Sequence, residues 1–346
     1  KPEEIAQIPG VTLVVGAEEK FKLSRLIEFS EPSGSPTIIK SDIRNVNFFY
    51  PSYSIGQRTR SFLKIQDGCN YTCSFCTIPL ARGNSRSSTV KQTVSMAEKI
   101  AAGDTCEVVL TGVNVGDFGV LNGETLIDLI RALDKVKGIN RFRISSIEPN
   151  LLTNEIIRFV GESEKFLPHF HIPLQSGSNT ILKAMRRRYQ KNLFAERINT
   201  IKSILPNAGI GVDIIVGFPG ESKNHFQQTC DFLETIDVSY LHVFSYSQRD
   251  HTDAVNILPK VKPETIMERN QILRSLSRKK NNKFHQLNVG SVREVLIENY
   301  EAGFISGLTE NYIRVRTEGK LEEVNSIIPL KMKFSHAYEM IGQRID

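Results

Sequence analysis

The sequence has no tryptophan and only five cysteines among its 346 residues. No apolar run approaches the ~20 residues that a membrane-spanning helix requires. The opening, KPEEIAQIPG, has no hydrophobic signal core, so secretion is not expected. It also lacks an initiating methionine, so the natural protein is expected to carry a further segment upstream. Five is an odd number, and three of these cysteines fall between positions 69 and 76. That pattern disfavours an extracellular disulfide framework and favours a reduced, metal-binding site. Excess charge of one sign is scarce too: 44 Lys+Arg against 38 Asp+Glu leave a net +6, which permits a polyanionic partner without demanding one. With 40% hydrophobic and 24% charged residues, the composition is that of a globular protein, neither disordered nor fibrous. The length suits two or three domains.

From Ser61 onward, strand-like runs alternate with helical patterns. SFLKIQ precedes VKQTVSMAEKIAAG, CEVVLTG precedes ETLIDLIRALDKV, and RFRISSI precedes NEIIRFVGES. HFHIPLQ precedes NTILKAM and LFAERINTIKSIL, IGVDIIVGF precedes NHFQQTCDFLETI, and YLHVFSYS closes the series. These units predict a parallel α/β sheet curling into an open, partial (βα)6 barrel, with function at the carboxyl ends of its strands. A long helix rich in Lys and Arg is predicted over 263–286. Beyond it, SVREVLIEN, ISGLTEN, YIRVRTE and EEVNSII predict the strands of a small antiparallel barrel. Near the start, VTLVVG and RLIEFS read as strands and SEPSGSP as a loop. The expected divisions are 1–59, 60–284 and 285–346.

The strongest chemical signal is KIQDGCNYTCSFCTIPLAR, which places Cys69, Cys73 and Cys76 on a loop directly after the first barrel strand. Thiolates bind soft iron or zinc. A structural zinc site closes with four ligands, and no histidine lies nearby to complete one. Three thiolates suit a cubane iron–sulfur cluster with one iron left open. The alternative is zinc with a distant fourth ligand such as Cys106.

Cys69-x3-Cys73-x2-Cys76, with Phe75 before the last cysteine, resembles the signature of radical S-adenosylmethionine (SAM) enzymes, whose shared fold is the partial (βα)6 barrel. The flanking IQDGCNYTCSFCTIPLARGNSRS resembles the methylthiotransferases and is closest to their MtaB group. LTGVNVGDFG, RISSIEP, FHIPLQSGSNTILKAMRRRY, DIIVGFPGE and LHVFSYSQRDHTDA follow in that group's order. GSVREVLIENYEAGFISGLTENYIRV resembles the TRAM domain that ends these proteins. The resemblance implies methylthiolation of carbon 2 of N6-threonylcarbamoyladenosine next to the tRNA anticodon. Alternatives are N6-isopentenyladenosine in tRNA, an aspartate of a ribosomal protein or, in a different class, a non-catalytic metal-containing RNA-binding module. Implied partners are the tRNA anticodon stem-loop and an electron donor such as flavodoxin or ferredoxin. A cytoplasmic monomer is expected.

By this resemblance, Cys69, Cys73 and Cys76 hold a 4Fe-4S cluster whose open iron chelates SAM, which serves as radical source and methyl donor. Phe75 would pack near the SAM adenine, or be a plain core aromatic. Gly112 and Asn114 occupy the place of contacts to the SAM amino group, although the glycine equally suits a turn. Glu148 suits a ribose hydroxyl or an ammonium partner, with helix capping as the alternative. Gln175 and Ser176 suit SAM contact or a loop hydrogen bond. Arg187, in MRRRY, suits a SAM carboxylate, a substrate phosphate or a solvated helix face. Asp213 and Gly217 fall where these enzymes surround the adenine, but Glu221 is one place too late for the family's G-x-I-x-G-x-x-E pattern. His169, His171 and His242 read as core or supporting residues.

Complete methylthiotransferases carry three further cysteines for a second 4Fe-4S cluster. Only Cys106 and Cys230 remain here, and KPEEIAQIPGVTLVVGAEEK resembles the tail of that N-terminal domain. The chain is therefore expected to cleave SAM but not to complete thiolation alone. Residues 181–202 hold seven Lys/Arg against one acidic residue, and 260–283 hold eight against two, each +6 and suited to tRNA phosphates. Residues 285–346 hold seven against nine, so RNA contact there is expected from a patch of Arg314, Arg316, Lys331 and Lys333.

Overall fold

A computed structural model describes residues 1–28, 35–54, 59–336 and 339–345. The barrel strands are β1 (Arg60–Lys64), β2 (Glu107–Thr111), β3 (Arg141–Ile144), β4 (His169–Gln175), β5 (Gly209–Val216) and β6 (Tyr240–Ser245). Helices α1 (Val90–Ala101), α2 (Leu126–Leu133), α3 (Asn154–Glu162), α4 (Lys191–Ile204) and α5 (Lys223–Thr235) lie between them, and α6 (Pro263–Asn288) follows β6. Hydroxyl side chains start four of these helices: Thr89, Thr125, Thr153 and Ser222 each accept a backbone N–H of the first turn. Each such cap contributes about 1 kcal/mol. Helix α2 shows why the helices dock: Leu126, Leu129, Ile130 and Leu133 are all buried at i, i+3, i+4, i+7 spacing.

Strands β1, β2 and β3 pair in parallel in that order, as do β4, β5 and β6. The two halves meet through bridges Phe142–Phe166 and Ser146–His171. Among the described residues β6 and β1 share no sheet pairing, so the barrel is open along that seam. Alternation sorts the side chains. Leu63, Leu110, Ile144, Ile172, Val212 and Val243 enter the core against the helices. The intervening Glu107, Arg143, His171, Asp213 and His242 face the lumen.

The C-terminal unit is a closed barrel of β7 (Val292–Glu301), β8 (Phe304–Thr309), β9 (Arg314–Glu318), β10 (Ile327–His336) and β11 (Glu339–Arg344), in the order β7-β8-β9-β11-β10. It departs from the antiparallel expectation at one place, because β9 and β11 pair in parallel. The expected strand EEVNSII instead begins with a 3-10 turn at Leu321–Glu323, and β10 starts at Ile327. The expected strand RLIEFS is largely helix Leu23–Glu28, because Leu23, Leu26 and Ile27 recur at helical spacing. VTLVVG does contain a strand, Leu13–Val15, which pairs in parallel with Thr37–Ile39. Most of the expected SEPSGSP loop lies outside the described residues.

The two barrels are seated firmly. Phe284 of α6 is buried in the core of the small barrel beside Val295 and Ile313. At the amino ends of the large barrel's strands, Arg143 pairs with Glu107 at 2.8 Å, both side chains almost wholly buried. The same guanidinium donates to the carbonyls of Thr309 and Glu310. Arg60 pairs with Glu298, and Asn311 donates to the Asn207 carbonyl. Removing one partner of a buried pair strands the other, at about 3–5 kcal/mol. Arg143→Met should lower stability by that order in denaturant melts, and limited proteolysis should release the small barrel early. An unchanged melt would contradict this account of the seam.

His169 stacks on Tyr312 at 4.2 Å between centroids and its Nε2 lies 2.8 Å from the Tyr240 hydroxyl. Burial, then the nearby Arg143, hold this imidazole well below its ordinary 6.5. The folded form therefore stays neutral while the unfolded chain takes up a proton below pH 6.5. Stability is lost as pH falls through that window, by up to about 1.4 kcal/mol per pH unit from this group. Thermal melts between pH 7.5 and 5.5 should show a decline that His169→Gln reduces; an equal decline in the variant would refute the assignment.

Candidate metal centre and barrel lumen

The cysteine loop rises from the end of β1 and is tied down on both sides. Gln66–Asp67 pairs with Arg86–Ser87, and Cys69 N–H donates to the Gly83 carbonyl at 3.0 Å. Gly68, at φ +71°, lets the chain turn where any Cβ would meet the Asn84 carbonyl oxygen at 2.0 Å. Ser74 donates its hydroxyl to Ala184 O and its N–H to Met185 O, and Ala254 N–H donates to Ser74 O. Beneath the loop, Asp67 receives Lys64, Arg82 and Arg86. Burial works to raise this carboxyl, but Lys64, the Gly68 N–H and Arg86 prevail and hold it below its usual range.

Each of the three sulfurs accepts one N–H hydrogen bond. Tyr71 N–H donates to Cys69 Sγ at 3.4 Å, Ile78 N–H to Cys76 Sγ at 3.5 Å, and the Arg187 guanidinium to Cys73 Sγ at 3.2 Å. Burial pushes the Cys69 thiol up to about 11 and also raises Cys76. Cys106 sits elsewhere, just before β2, and donates to Asn325 O at the seam with the small barrel. It is therefore not a fourth ligand.

Arg187 does not lie on a solvated helix face. Its side chain is 4% exposed, paired with Glu148, and donates Nε–H to the Tyr189 hydroxyl at 3.1 Å. Burial works against its charge, yet Tyr189 and Glu148 keep it firmly protonated. Burial also pushes the Glu148 carboxyl above its usual range, with Arg187 pulling the other way. Glu148 is thus an ion-pair partner; the helix that follows is capped by Thr153.

The remaining expected residues divide. Phe75 is half-buried, edge-on to Phe218 at 6.2 Å, and clamps the cysteine loop to the turn after β5. Gly112 is filled from within: the Gln66 side chain lies 2.9 Å from where a Cβ would stand. Gln66 Oε1 accepts from Val113 and Asn114 N–H, a buried organising role that the sequence did not mark. Asn114 donates to Asp117, and among the described residues its buried Oδ1 has no partner. Gln175 stands at the mouth of β4 in the left-handed region, φ +67°, an unusual conformation for a side-chain-bearing residue. Ser176 turns away from the lumen to Thr229 of α5 and the Ser178 N–H. Gly217, at φ +79°, is where a Cβ would strike Ile266 at 2.4 Å, and its N–H donates to Glu221. Glu221, set aside by its spacing, is buried and paired with Arg269.

Deeper in the lumen, His171 Nε2 lies 2.8 Å from Asp213 Oδ1. Ligand atoms of His171, Asp213 and His242 all lie within 4.8 Å of one another. The basic stretches do not form continuous faces. In the first, Arg187 turns inward and Arg186 pairs with Asp253. In the second, Arg269 is buried while Arg274, Arg278, Lys279 and Lys283 are exposed on α6. On the small barrel, Arg316 and Lys333 line a groove of about 760 Å³ with Phe304 and Ile341, the Arg316 guanidinium lying 4.3 Å from the Phe304 ring centre. Arg314 is drawn off to Glu298.

Residues 63–233 match the radical SAM superfamily. The chain is 38% identical to threonylcarbamoyladenosine tRNA methylthiotransferase MtaB of Aquifex aeolicus, over 94% of this chain and 79% of that protein. Against the Bacillus subtilis protein of the same name it is 36% identical, over 96% and 75%. The chain belongs to the MtaB-like radical SAM methylthiotransferases. It is also 33% identical to a tRNA-2-methylthio-N(6)-dimethylallyladenosine synthase of Helicobacter hepaticus, over 99% of this chain and 76% of the relative. Among solved structures, coproporphyrinogen III oxidase of Escherichia coli, a radical SAM enzyme, superposes with TM-score 0.50 at 13% identity, over 73% of this chain and 67% of its own. Apo OxsB, a cobalamin-dependent radical SAM enzyme, gives 0.51 at 14% identity, over 79% and 42%. These two share the fold.

A radical SAM methylthiotransferase uses a 4Fe-4S cluster and SAM, and the residues present fit both. A single tetrahedral ion with bonds of ~2.3 Å would hold sulfurs about 3.8 Å apart. Among the described residues the one set of three ligand atoms within 4.8 Å is His171–Asp213–His242, so the three thiols are spaced too widely for one such ion. The unpartnered Asn114 Oδ1 is a ready acceptor for an ammonium group.

Proposed function

We propose that this enzyme methylthiolates carbon 2 of N6-threonylcarbamoyladenosine beside the tRNA anticodon, with SAM as radical source and methyl donor. The observation that supports it most is the 36–38% identity to two proteins of that name across nearly the whole chain. Dimethylallyladenosine is the second reading, supported by the 33% relative.

In this reading Cys69, Cys73 and Cys76 hold the cluster. When bound, the cluster and SAM would supply the radical chemistry that activates the adenine carbon. The chain's own residues position and shield. The loop anchors at Ser74 and Gly83 fix the three sulfurs, and their N–H donors stabilise negative charge on them. Asn114, through its Oδ1, and Gln175 would hold SAM, with Phe75 as an apolar wall. Arg187, bound to Glu148, offers a fixed cation to the SAM carboxylate. Ser176, Gly217 and Gly112 act through packing. The exposed cations of α6 and the Arg316–Lys333 groove take tRNA phosphates. A low-potential donor such as flavodoxin or ferredoxin supplies the electron. Cys106 and Cys230 lie apart on different elements, so this chain holds one cluster, and the second cluster of the family's sulfur insertion needs ligands from outside it.

Mass spectrometry of tRNA nucleosides from a strain lacking the gene tests the substrate. The methylthio derivative of threonylcarbamoyladenosine should vanish while that of dimethylallyladenosine persists; the opposite loss would overturn the assignment.

A further inference from the structure

His171, Asp213 and His242 stand side by side on β4, β5 and β6, in the half of the lumen that borders the Arg187–Glu148 pair. His242 and Asp213 are register partners across β5 and β6, and His171 pairs with Gly211 two residues earlier on β5. The imidazole of His171 lies against one Asp213 oxygen, while His242 has no hydrogen-bond partner among the described residues. Below them Tyr240 and His169 close the lumen against Tyr312 of the small barrel. Above them on the same face of β6, Phe244 exposes an aromatic ring, 52% open. The seam between β6 and β1, unpaired among the described residues, leaves this wall accessible from the side.

Such a wall suits an unstacked nucleoside. A flipped adenine can stack on an open ring such as Phe244. The group on its N6 then meets the Asp213 carboxylate, the His171 ring that donates to it, and the His242 imidazole. Threonylcarbamoyl carries a urea, a hydroxyl and a carboxylate; dimethylallyl is hydrocarbon and leaves polar neighbours unpaired. Burial, and then the neighbouring His171, lower the His242 pKa below the ordinary 6.5, so near neutral pH this ring has one N–H to donate and one nitrogen to accept.

We propose that His171, Asp213 and His242 form the subsite for the polar N6-substituent of the target adenosine, and so select threonylcarbamoyl over a hydrocarbon chain. The proposal rests on the substrate reading above. A site built to hydrogen-bond a ligand discriminates strongly against one that cannot return the bonds, because its own polar groups are stranded.

The test uses two synthetic anticodon stem-loops that differ only in carrying threonylcarbamoyl or dimethylallyl on the adenosine. Their binding to the cluster-loaded, SAM-bound protein is followed by fluorescence anisotropy at one fixed salt concentration. Wild type should favour the first by on the order of 10- to 100-fold. His242→Phe should bring the ratio close to one, chiefly by weakening the first stem-loop, whereas His242→Gln, which keeps a donor and an acceptor, should retain most of it. A His242→Phe ratio equal to wild type would sink the subsite and leave the substrate reading standing. A wild-type protein that binds both alike would defeat the substrate reading and the subsite with it. One equivalent of zinc, held by wild type and lost in His242→Phe, would reassign the trio to a metal and also overturn the proposal.

Discussion

Cys73→Ala should lose the cluster and bring deoxyadenosine formation from SAM to background, while Cys106→Ala retains both. Cys73 is one of three loop thiols, and its sulfur already receives a charged donor from Arg187 at 3.2 Å. Loss of an outer-shell partner alone costs about 10–100-fold in metal affinity, so loss of a ligand should exceed that. Cys106 is the informative control, since it occupies the opposite end of the barrel against Asn325. Iron analysis and the visible absorbance of the reconstituted proteins check this. Full iron in Cys73→Ala, or its loss in Cys106→Ala, would contradict the ligand assignment.

Arg187→Met should be the most damaging change outside the cysteines. It strands the Glu148 carboxylate in a site where burial already disfavours its charge, at about 3–5 kcal/mol. It also removes the donor to Cys73 Sγ and a positive charge beside the cluster, so the cluster's midpoint potential should fall. The two effects separate in the double variant Arg187→Met/Glu148→Gln. Neutralising Glu148 should restore much of the stability in denaturant melts, but the missing donor should keep the potential low. A double variant with wild-type potential would show that Arg187 does not tune the cluster. One with the single variant's stability would show that the buried charge is not the cause.

Much of the large barrel was legible because each strand alternates core-facing and lumen-facing residues between well-capped helices; HFHIPLQ matches β4 residue for residue. The cysteine loop was legible as a candidate metal site because its spacing alone is chemically informative. Arg187 was not, because a run of three arginines reads as a solvated face, and only the fold turns one inward while Arg188 stacks on Tyr71. Gln66, Glu221 and Arg269 organise the site through partners 48 residues away, beyond any local pattern. The His171–Asp213–His242 trio is assembled across three parallel strands, and no spacing in a single strand announces it. Gly112, Ser176 and Gly217, expected at the ligand, also lie against Gln66, Thr229 and Ile266, contacts that no local pattern announces.

The central claim is that the three loop thiols hold a cluster at which SAM is cleaved. Anaerobic reconstitution of this 346-residue chain with iron and sulfide, followed by reduction in the presence of SAM, tests it most directly. The account predicts about four irons per chain, as one cubane contains, and deoxyadenosine that disappears with any one of Cys69, Cys73 or Cys76. Zinc without iron, or an iron-loaded chain inert toward SAM, would contradict it.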